Sequence, residues 1–265
     1  MEKYIPLKTT LEVARQKRAC KIAAQVLEKL SPIIRPGITT EYIDEVCRKF
    51  VVEKGARPSL HGYRNYPGNV CASVNNVAAH GIPGDYVLRE GDVITVDITV
   101  ETDGWHGDTA WTYAVGDIDK DSKRLIRAAW NTTIQAISEV RAGIRMGDIG
   151  SEISKTAKRY GCSVIDSFVG HGIGHDVHEE PMVLNSGEPG TGVPIVPGMV
   201  FTIEPILCLG SPDVQMLDDG WTIVTRDSSK CAQFEHTIAV FSNSTQILTN
   251  TRREDIIRLD FPPFV

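Results

Sequence analysis

The chain has 265 residues, 42% of them apolar, enough to bury a sizeable core as one large domain or two small ones. Lys and Arg number 28 against 34 Asp and Glu, a net charge of −6 with no basic block, which argues against a nucleic-acid partner. No run approaches a membrane span, the N-terminus lacks a signal-peptide core, and the six scattered cysteines form no Cys-x-x-Cys, so a cytoplasmic protein with reduced thiols is expected.

Thr9-Thr10-Leu11-Glu12 fits a capping box, and apolar residues at helical spacing from Leu11 to Leu30 predict a first helix ending near Ser31-Pro32. A second helix is expected to start after Thr39 or Thr40, bury Ile43, Val46, Cys47, Phe50 and Val51, and stop at Gly55. Residues 56–69, rich in Gly, Pro, Asn and Tyr, read as a loop. Strands are predicted near 70–74, 92–100 and 109–115, helices near 119–141 and 147–160, then strands near 163–169, 199–207, 221–225, 233–241 and 245–248.

This order of helices, strands, helices, strands suggests a duplication. Arg35-Pro36-Gly37-Ile38 is answered by Arg141-Ala142-Gly143-Ile144, an offset of 106. Gly91, Val93, Thr95 and Asp97 are answered by Gly198, Val200, Thr202 and Glu204, an offset of 107. One α+β domain is therefore expected over 1–265, built of two pseudo-symmetric halves (about 5–115 and 116–250) with a short C-terminal tail and the site between them.

Four acids fall on strand-like backbone: Asp97, Asp108, Glu204 and Glu235. Side chains two apart on a strand share a face, which places Asp97 with Thr95 and Thr99, Glu204 with Thr202, and Glu235 with Thr237. Taken singly, each acid could sit at a strand end facing water. If they converge, like charges need cations beside them or strongly raised pKa values. Oxygen donors with one or two imidazoles suit divalent Mn, Fe, Co or Zn, whereas the lack of cysteine donors argues against a structural zinc site. The stretch GHGIGHDVHEEP, residues 170–181, supplies His171, His175 and His178 among interleaved glycines. One ligand and one or two substrate-facing histidines are expected from it, with His80 the candidate for acid-base work.

With HGIP at 80–83, GWHGDTAWT at 104–112, FTIEP at 201–205 and QFEHT at 233–237, these residues resemble the methionine aminopeptidases, most closely the short type I bacterial form. The resemblance implies the pita-bread fold and a site with two divalent metal ions. Asp97 would bind one, His171 and Glu204 the other, and Asp108 and Glu235 both. It further implies removal of the N-terminal methionine from nascent proteins, with a metal-bridging hydroxide as nucleophile and a small second residue preferred. Glu204 would move the proton, and His178 and His80 would stabilise the oxyanion or the leaving amine. Transient contact with the ribosome and a monomeric state are also implied.

By the same resemblance Tyr63, Tyr66, Cys71, His80 and Trp221 line a soft slot suited to a thioether. Two positions depart from the bacterial pattern: Leu60 replaces a cysteine, and Val177 replaces the aromatic before His178. Loss of that ring is expected to widen one wall, which Leu60 partly refills. A proline-specific aminopeptidase or prolidase would share fold and ligands but usually carries a further N-terminal domain. A metal-free binding module would not need all five ligand positions, and a type II enzyme would carry an insertion between Glu204 and Glu235, where none is visible.

Overall fold

Helix α1 (Thr10–Leu30) begins on the capping box: the Thr9 hydroxyl accepts from the Glu12 amide at 3.3 Å, and the Glu12 carboxylate accepts from the Thr9 amide at 2.7 Å. Helix α2 (Thr40–Glu53) is capped by the Thr39 hydroxyl, and α3 (Lys120–Glu139) by the Asp119 carboxylate. Helix α4 (Met146–Arg159) completes the α-helices among the described residues, 4–250, of this computed structural model, and a short 3-10 turn spans Tyr63–Asn65. No helix among the described residues is long and apolar enough to cross a membrane.

The strands are β1 (Arg57–Pro58), β2 (Cys71–Val74), β3 (Val77–Ala79), β4 (Val93–Thr102), β5 (Trp105–Ala114), β6 (Ser163–Val164), β7 (Gly170–Gly172), β8 (Glu179–Val183), β9 (Val200–Ile203), β10 (Ile206–Cys208), β11 (Val214–Met216), β12 (Ile223–Thr225), β13 (Cys231–Gln233), β14 (Glu235–Val240) and β15 (Thr245–Ile247). The main antiparallel sheet runs β1-β4-β5-β14-β9-β7-β8, with β2 also on β4 and β15 on β14. Two three-stranded sheets, β13-β10-β6 and β11-β12-β3, stand beside it. This is a curved antiparallel sheet covered by helices, an α+β architecture.

Alternation along β4 and β9 separates core from site. Val96, Ile98 and Val100 turn to α1, where Ile22, Ala23, Val26, Leu27 and Leu30 meet them in one buried cluster. Ile203 and Ile238 turn with Ile149 and Ile153 of α4 into a second cluster. Each buried Val, Leu or Ile of these clusters contributes about 1.5–3 kcal/mol of hydrophobic burial. The opposite row of Thr95, Asp97 and Thr99 is left facing the site, as its period of two requires.

Several predicted boundaries differ. The run expected at 163–169 pairs only over Ser163–Val164, and β8 forms where no strand was predicted. The runs 199–207 and 233–241 are each interrupted. Pro205 has no N–H to offer the ladder, so the strand leaves the main sheet after Ile203 and resumes as β10 in a small one. Phe234 is fully buried edge-on against Trp130, with ring centroids 5.2 Å apart, and marks the matching switch between β13 and β14. Glu204 and Glu235 therefore both sit where a strand changes sheets.

Candidate metal centre

Each acid arrives on a fixed piece of backbone. Asp97 lies opposite Cys71 across β2 and β4, and Asp108 lies opposite Thr99 across β4 and β5. Glu235 opposes Ala110 where β14 meets β5, which puts Asp108 and Glu235 on adjoining strands. The Thr109 hydroxyl donates to the Glu235 carbonyl at 2.6 Å and Thr237 bonds both backbone polar groups of Asp108, fixing that seam. On β7, His171 gives its Nδ1 to the Gly172 carbonyl at 2.9 Å, leaving Nε2 to face the acids. That Nε2 lies 3.5 Å from Glu204 Oε1 and 3.9 Å from Asp108 Oδ2. Donor atoms of Asp108, His171 and Glu235 all fall within 4.8 Å of one another. Thr202 ties two of the donors together, accepting from the His171 amide at 3.0 Å and donating to Glu204 Oε1 at 2.7 Å.

Electrostatics show what the cluster suits. Burial, then repulsion from Asp108 and Glu204, raises the Asp97 carboxyl well above its ordinary range. Burial pushes Glu204 up to about 8, and burial with repulsion from Asp108, Glu204 and Asp97 raises Glu235 strongly. Asp108 is raised by burial as well. Oδ1 of Asp108 and Oε1 of Glu235 are buried with no hydrogen-bond partner. Burial also lowers the pKa of His171, so its ring is a neutral donor. A set of buried, mutually repelling oxygens with two orphaned lone-pair sites and one neutral imidazole fits divalent cations and little else.

A cavity of about 200 Å³ opens over these donors, with Asp97, Asp108, His171, Glu204 and Glu235 in its wall. Leu60, Tyr63, Tyr66, Cys71, His80, Val177, His178 and Trp221 line the rest, so the sequence-derived set converges on one space. Tyr66 and Trp221 meet edge-on at 5.1 Å, and the Tyr66 hydroxyl is spent on the Gly81 and Val70 carbonyls, leaving its ring as apolar wall. His80, at a positive φ of 54°, stands edge-on to Trp221 and to Phe168. The Tyr63 hydroxyl lies 2.8 Å from Nδ1 of His178, whose ring is 4.2 Å from that of His171. Burial and the neighbouring His171 lower His178 to about 4, so it is neutral near pH 7.

His175, the third histidine of the glycine-rich stretch, is not in the cavity. It is exposed, stacked on Trp105 at 3.9 Å and bonded to the Gly104 carbonyl. The sequence reasoning missed Arg64, Phe168 and Val169, which also line the cavity. Arg64 carries no positional signal beyond its neighbour Tyr63, and Phe168 and Val169 lie in the run 163–169 that read as strand.

Residues 14–241 match the model of metallopeptidase family M24. The methionine aminopeptidase of Rickettsia prowazekii is 38% identical over 98% of this chain and 99% of its own length, and methionine aminopeptidase 1 of Bacillus subtilis is 41% identical over 91% and 98%. The crystal structure of the Rickettsia prowazekii enzyme superposes with a TM-score of 0.92 at 39% identity, covering 93% of this chain and 100% of that one. An Xaa-Pro dipeptidase from Bacillus anthracis matches at 0.74 and 21% identity, over 92% of this chain but 62% of that one.

Proposed function

The chain belongs to metallopeptidase family M24, among the methionine aminopeptidases of the pita-bread fold, and from that premise we infer that it removes the N-terminal methionine of peptides and nascent proteins by metal-dependent hydrolysis of the first peptide bond. The observation that carries the reading is the placement of five metal-type donors in the wall of a cavity whose remaining walls are aromatic and apolar. The proline-specific alternative rests on structures of about 20% identity, which share the fold alone.

Asp97, Asp108, His171, Glu204 and Glu235 would hold two divalent ions of the Mn, Fe, Co or Zn class. When bound, such ions supply Lewis acidity, making water a nucleophile near neutral pH and polarising the scissile carbonyl. The chain's own groups do the rest. Glu204, its Oε1 held by the Thr202 hydroxyl at 2.7 Å, would pass a proton from the attacking water toward the leaving amine. With the Tyr63 hydroxyl donating to Nδ1, His178 carries its proton on Nε2 and offers it to the developing oxyanion. His80, kept neutral by burial, hydrogen-bonds the leaving nitrogen. Tyr63, Tyr66, Cys71, His80 and Trp221 enclose the methionine side chain, and Leu60 with Val177 closes the wall that elsewhere holds an aromatic ring. A small second residue is preferred.

The two related halves, about 5–115 and 116–250, act as one domain; the pairing of Glu235 and His236 with Ala110 and Thr109 supports this. A monomer acting in the cytoplasm, with transient contact at the ribosome, completes the reading. Cleavage of Met-Ala-Ser before chelation, its loss on chelation and its return with manganese test it. A chelated protein of full activity, or release of proline-adjacent residues instead of methionine, refutes it. Peptides beginning with Met, norleucine, Leu and Ala then rank the slot around Leu60 and Val177.

A further inference from the structure

Cys208 of β10 lies directly opposite Cys231 of β13, in the small sheet that leaves the metal centre. All six cysteines are reduced and buried. The hydrogen-bond pattern fixes the type of this pair. At the next position out the Leu209 amide donates to the Lys230 carbonyl at 3.1 Å, whereas the Cys231 amide turns away to the Asn75 carbonyl at 2.7 Å. Cys208 and Cys231 are thus a non-hydrogen-bonded pair, the kind in which opposed Cα atoms are about 4.5 Å apart and the side chains stand closest. That separation falls inside the Cα range of disulfides, about 4.4–6.8 Å.

Both thiols also lie on one face. They pack in a single cluster with Ile165, Ile206 and Ile223, while the intervening Leu207 and Ala232 turn to the opposite core. The third thiol of this region, Cys162, packs with that opposite core beside Arg124. We propose that Cys208 and Cys231 are a thiol–disulfide exchange site that takes a small dialkyl disulfide of the glutathione type, closes into a cross-strand disulfide, and in closing lowers turnover at the metal centre.

Position supplies the coupling. Cys208 follows Glu204 by four residues and Cys231 precedes Glu235 by four, on the strands that carry those carboxylates out of the main sheet. A disulfide holds Cβ atoms about 3.8 Å apart. Opposed Cβ atoms in an open sheet lie about 4.5–5.5 Å apart. Closure therefore draws β10 toward β13 and shifts both carboxylates. The same cluster takes in Phe168, the cavity wall that touches His80.

The chemistry balances in two exchanges. The thiolate of one cysteine of the pair attacks one sulfur of the small disulfide and releases one thiol. The thiolate of the other then attacks the newly bonded protein sulfur and releases the second. Two protein S–H bonds and one S–S bond break, one protein S–S bond and two small-molecule S–H bonds form, and two electrons pass to the small disulfide. Burial pushes both thiols up, Cys208 to about 11, so the exchange is slow at neutral pH and faster in alkali.

The activity arm of the test rests on the aminopeptidase reading, and the mapping arm does not. Manganese-loaded full-length protein is incubated anaerobically with oxidised glutathione at alkaline pH, alkylated, and mapped by tandem mass spectrometry beside an assay on Met-Ala-Ser. The expected result is a Cys208–Cys231 link with kcat down about tenfold or more, since misplacing reacting groups by about 1 Å costs on the order of a hundredfold. Dithiothreitol restores the rate, C208S and C231A lose the link, and C162S behaves as the parent. Mixed disulfides alone, a link through Cys162, or a linked pair with unchanged kcat overturns the proposal. A protein that never cleaves Met-Ala-Ser, reduced or oxidised, refutes the aminopeptidase reading instead, and the map still decides the pair.

Discussion

Thr202→Val tests whether one hydroxyl holds two metal donors in place. The side chain is fully buried, and its Oγ1 both donates to Glu204 at 2.7 Å and accepts from the His171 amide at 3.0 Å. Valine keeps the shape and removes both bonds. A hydrogen bond to a charged group contributes about 1.5–3 kcal/mol, and a buried amide left unsatisfied costs about 1–3 kcal/mol, so a loss of about 3 kcal/mol is a conservative sum. At about 2.1 cal/mol/K per residue, 265 residues give an unfolding entropy of about 0.56 kcal/mol/K, so the Tm falls by about 5 °C. With Glu204 free to turn and His171 loosened, manganese affinity drops about 10–100-fold, the range for partners that orient metal ligands. Calorimetry of the loaded protein and manganese titration of the stripped protein read the two effects, with T202S, which keeps the hydroxyl, as the rescue. Manganese affinity within twofold of the parent in T202V would show that Glu204 and His171 are held by something else.

Tyr63→Phe removes the hydroxyl 2.8 Å from Nδ1 of His178; on the role proposed for that ring, kcat on Met-Ala-Ser should fall about tenfold with little change in KM; a change confined to KM would make Tyr63 only a wall. Val177→Phe returns a ring to the slot and should lower kcat/KM for Leu-Ala-Ser about tenfold relative to Met-Ala-Ser, the scale set by one or two methylenes of misfit; an unchanged ratio would remove Val177 from the specificity wall. In metal-stripped protein the folded pKa values of Asp97, Glu204 and Glu235 are raised, first by burial, Glu204 to about 8. The folded state then binds more protons than the unfolded one between the ordinary carboxylate range and those raised values, so stability falls as pH rises through that window. Melting of stripped protein should drop from pH 5.5 to pH 8 more steeply than melting of manganese-loaded protein, and parallel slopes would contradict the charge accounting.

What could be read from the sequence follows from how local each signal is. The Thr9–Glu12 capping box lies within four residues, so it fixed the start of α1, and alternation along 93–100 separated the α1-facing valines and isoleucines from the site-facing acid. Convergence of Asp97, Asp108, Glu204 and Glu235 was legible only because two sequence segments answer each other in order and because a known family shows the same pattern. By contrast, nothing local separates His171 from His175. What decides is that β7 tucks one under Thr202 while Trp105, far away in sequence, stacks on the other. The break of two predicted strands at Pro205 and Phe234 is likewise a choice of partner strand, made by tertiary packing and invisible to a residue's own propensity. Arg64 and Phe168 became site residues for the same reason.

The segment just before α1 reaches across the molecule. Lys8 forms a buried ion pair with Glu179, which in turn accepts from the His175 amide at 2.9 Å, and the Lys8 amide donates to the Gly198 carbonyl at 2.7 Å. Gln16 bonds the carbonyls of His106 and Ile173 at 2.9 and 3.1 Å. These contacts span up to 190 residues of chain, from Lys8 to Gly198, so their formation waits on the closure of a very long loop. During synthesis Lys8 leaves the ribosome long before Glu179 and Gly198 exist, so the helix it precedes can pack on β4 and β5 well before its leading segment is tied down. Catalytic competence is consequently the last property this chain acquires: in refolding followed by circular dichroism and by turnover, helix content should recover first and activity only when the two ends of that loop have met.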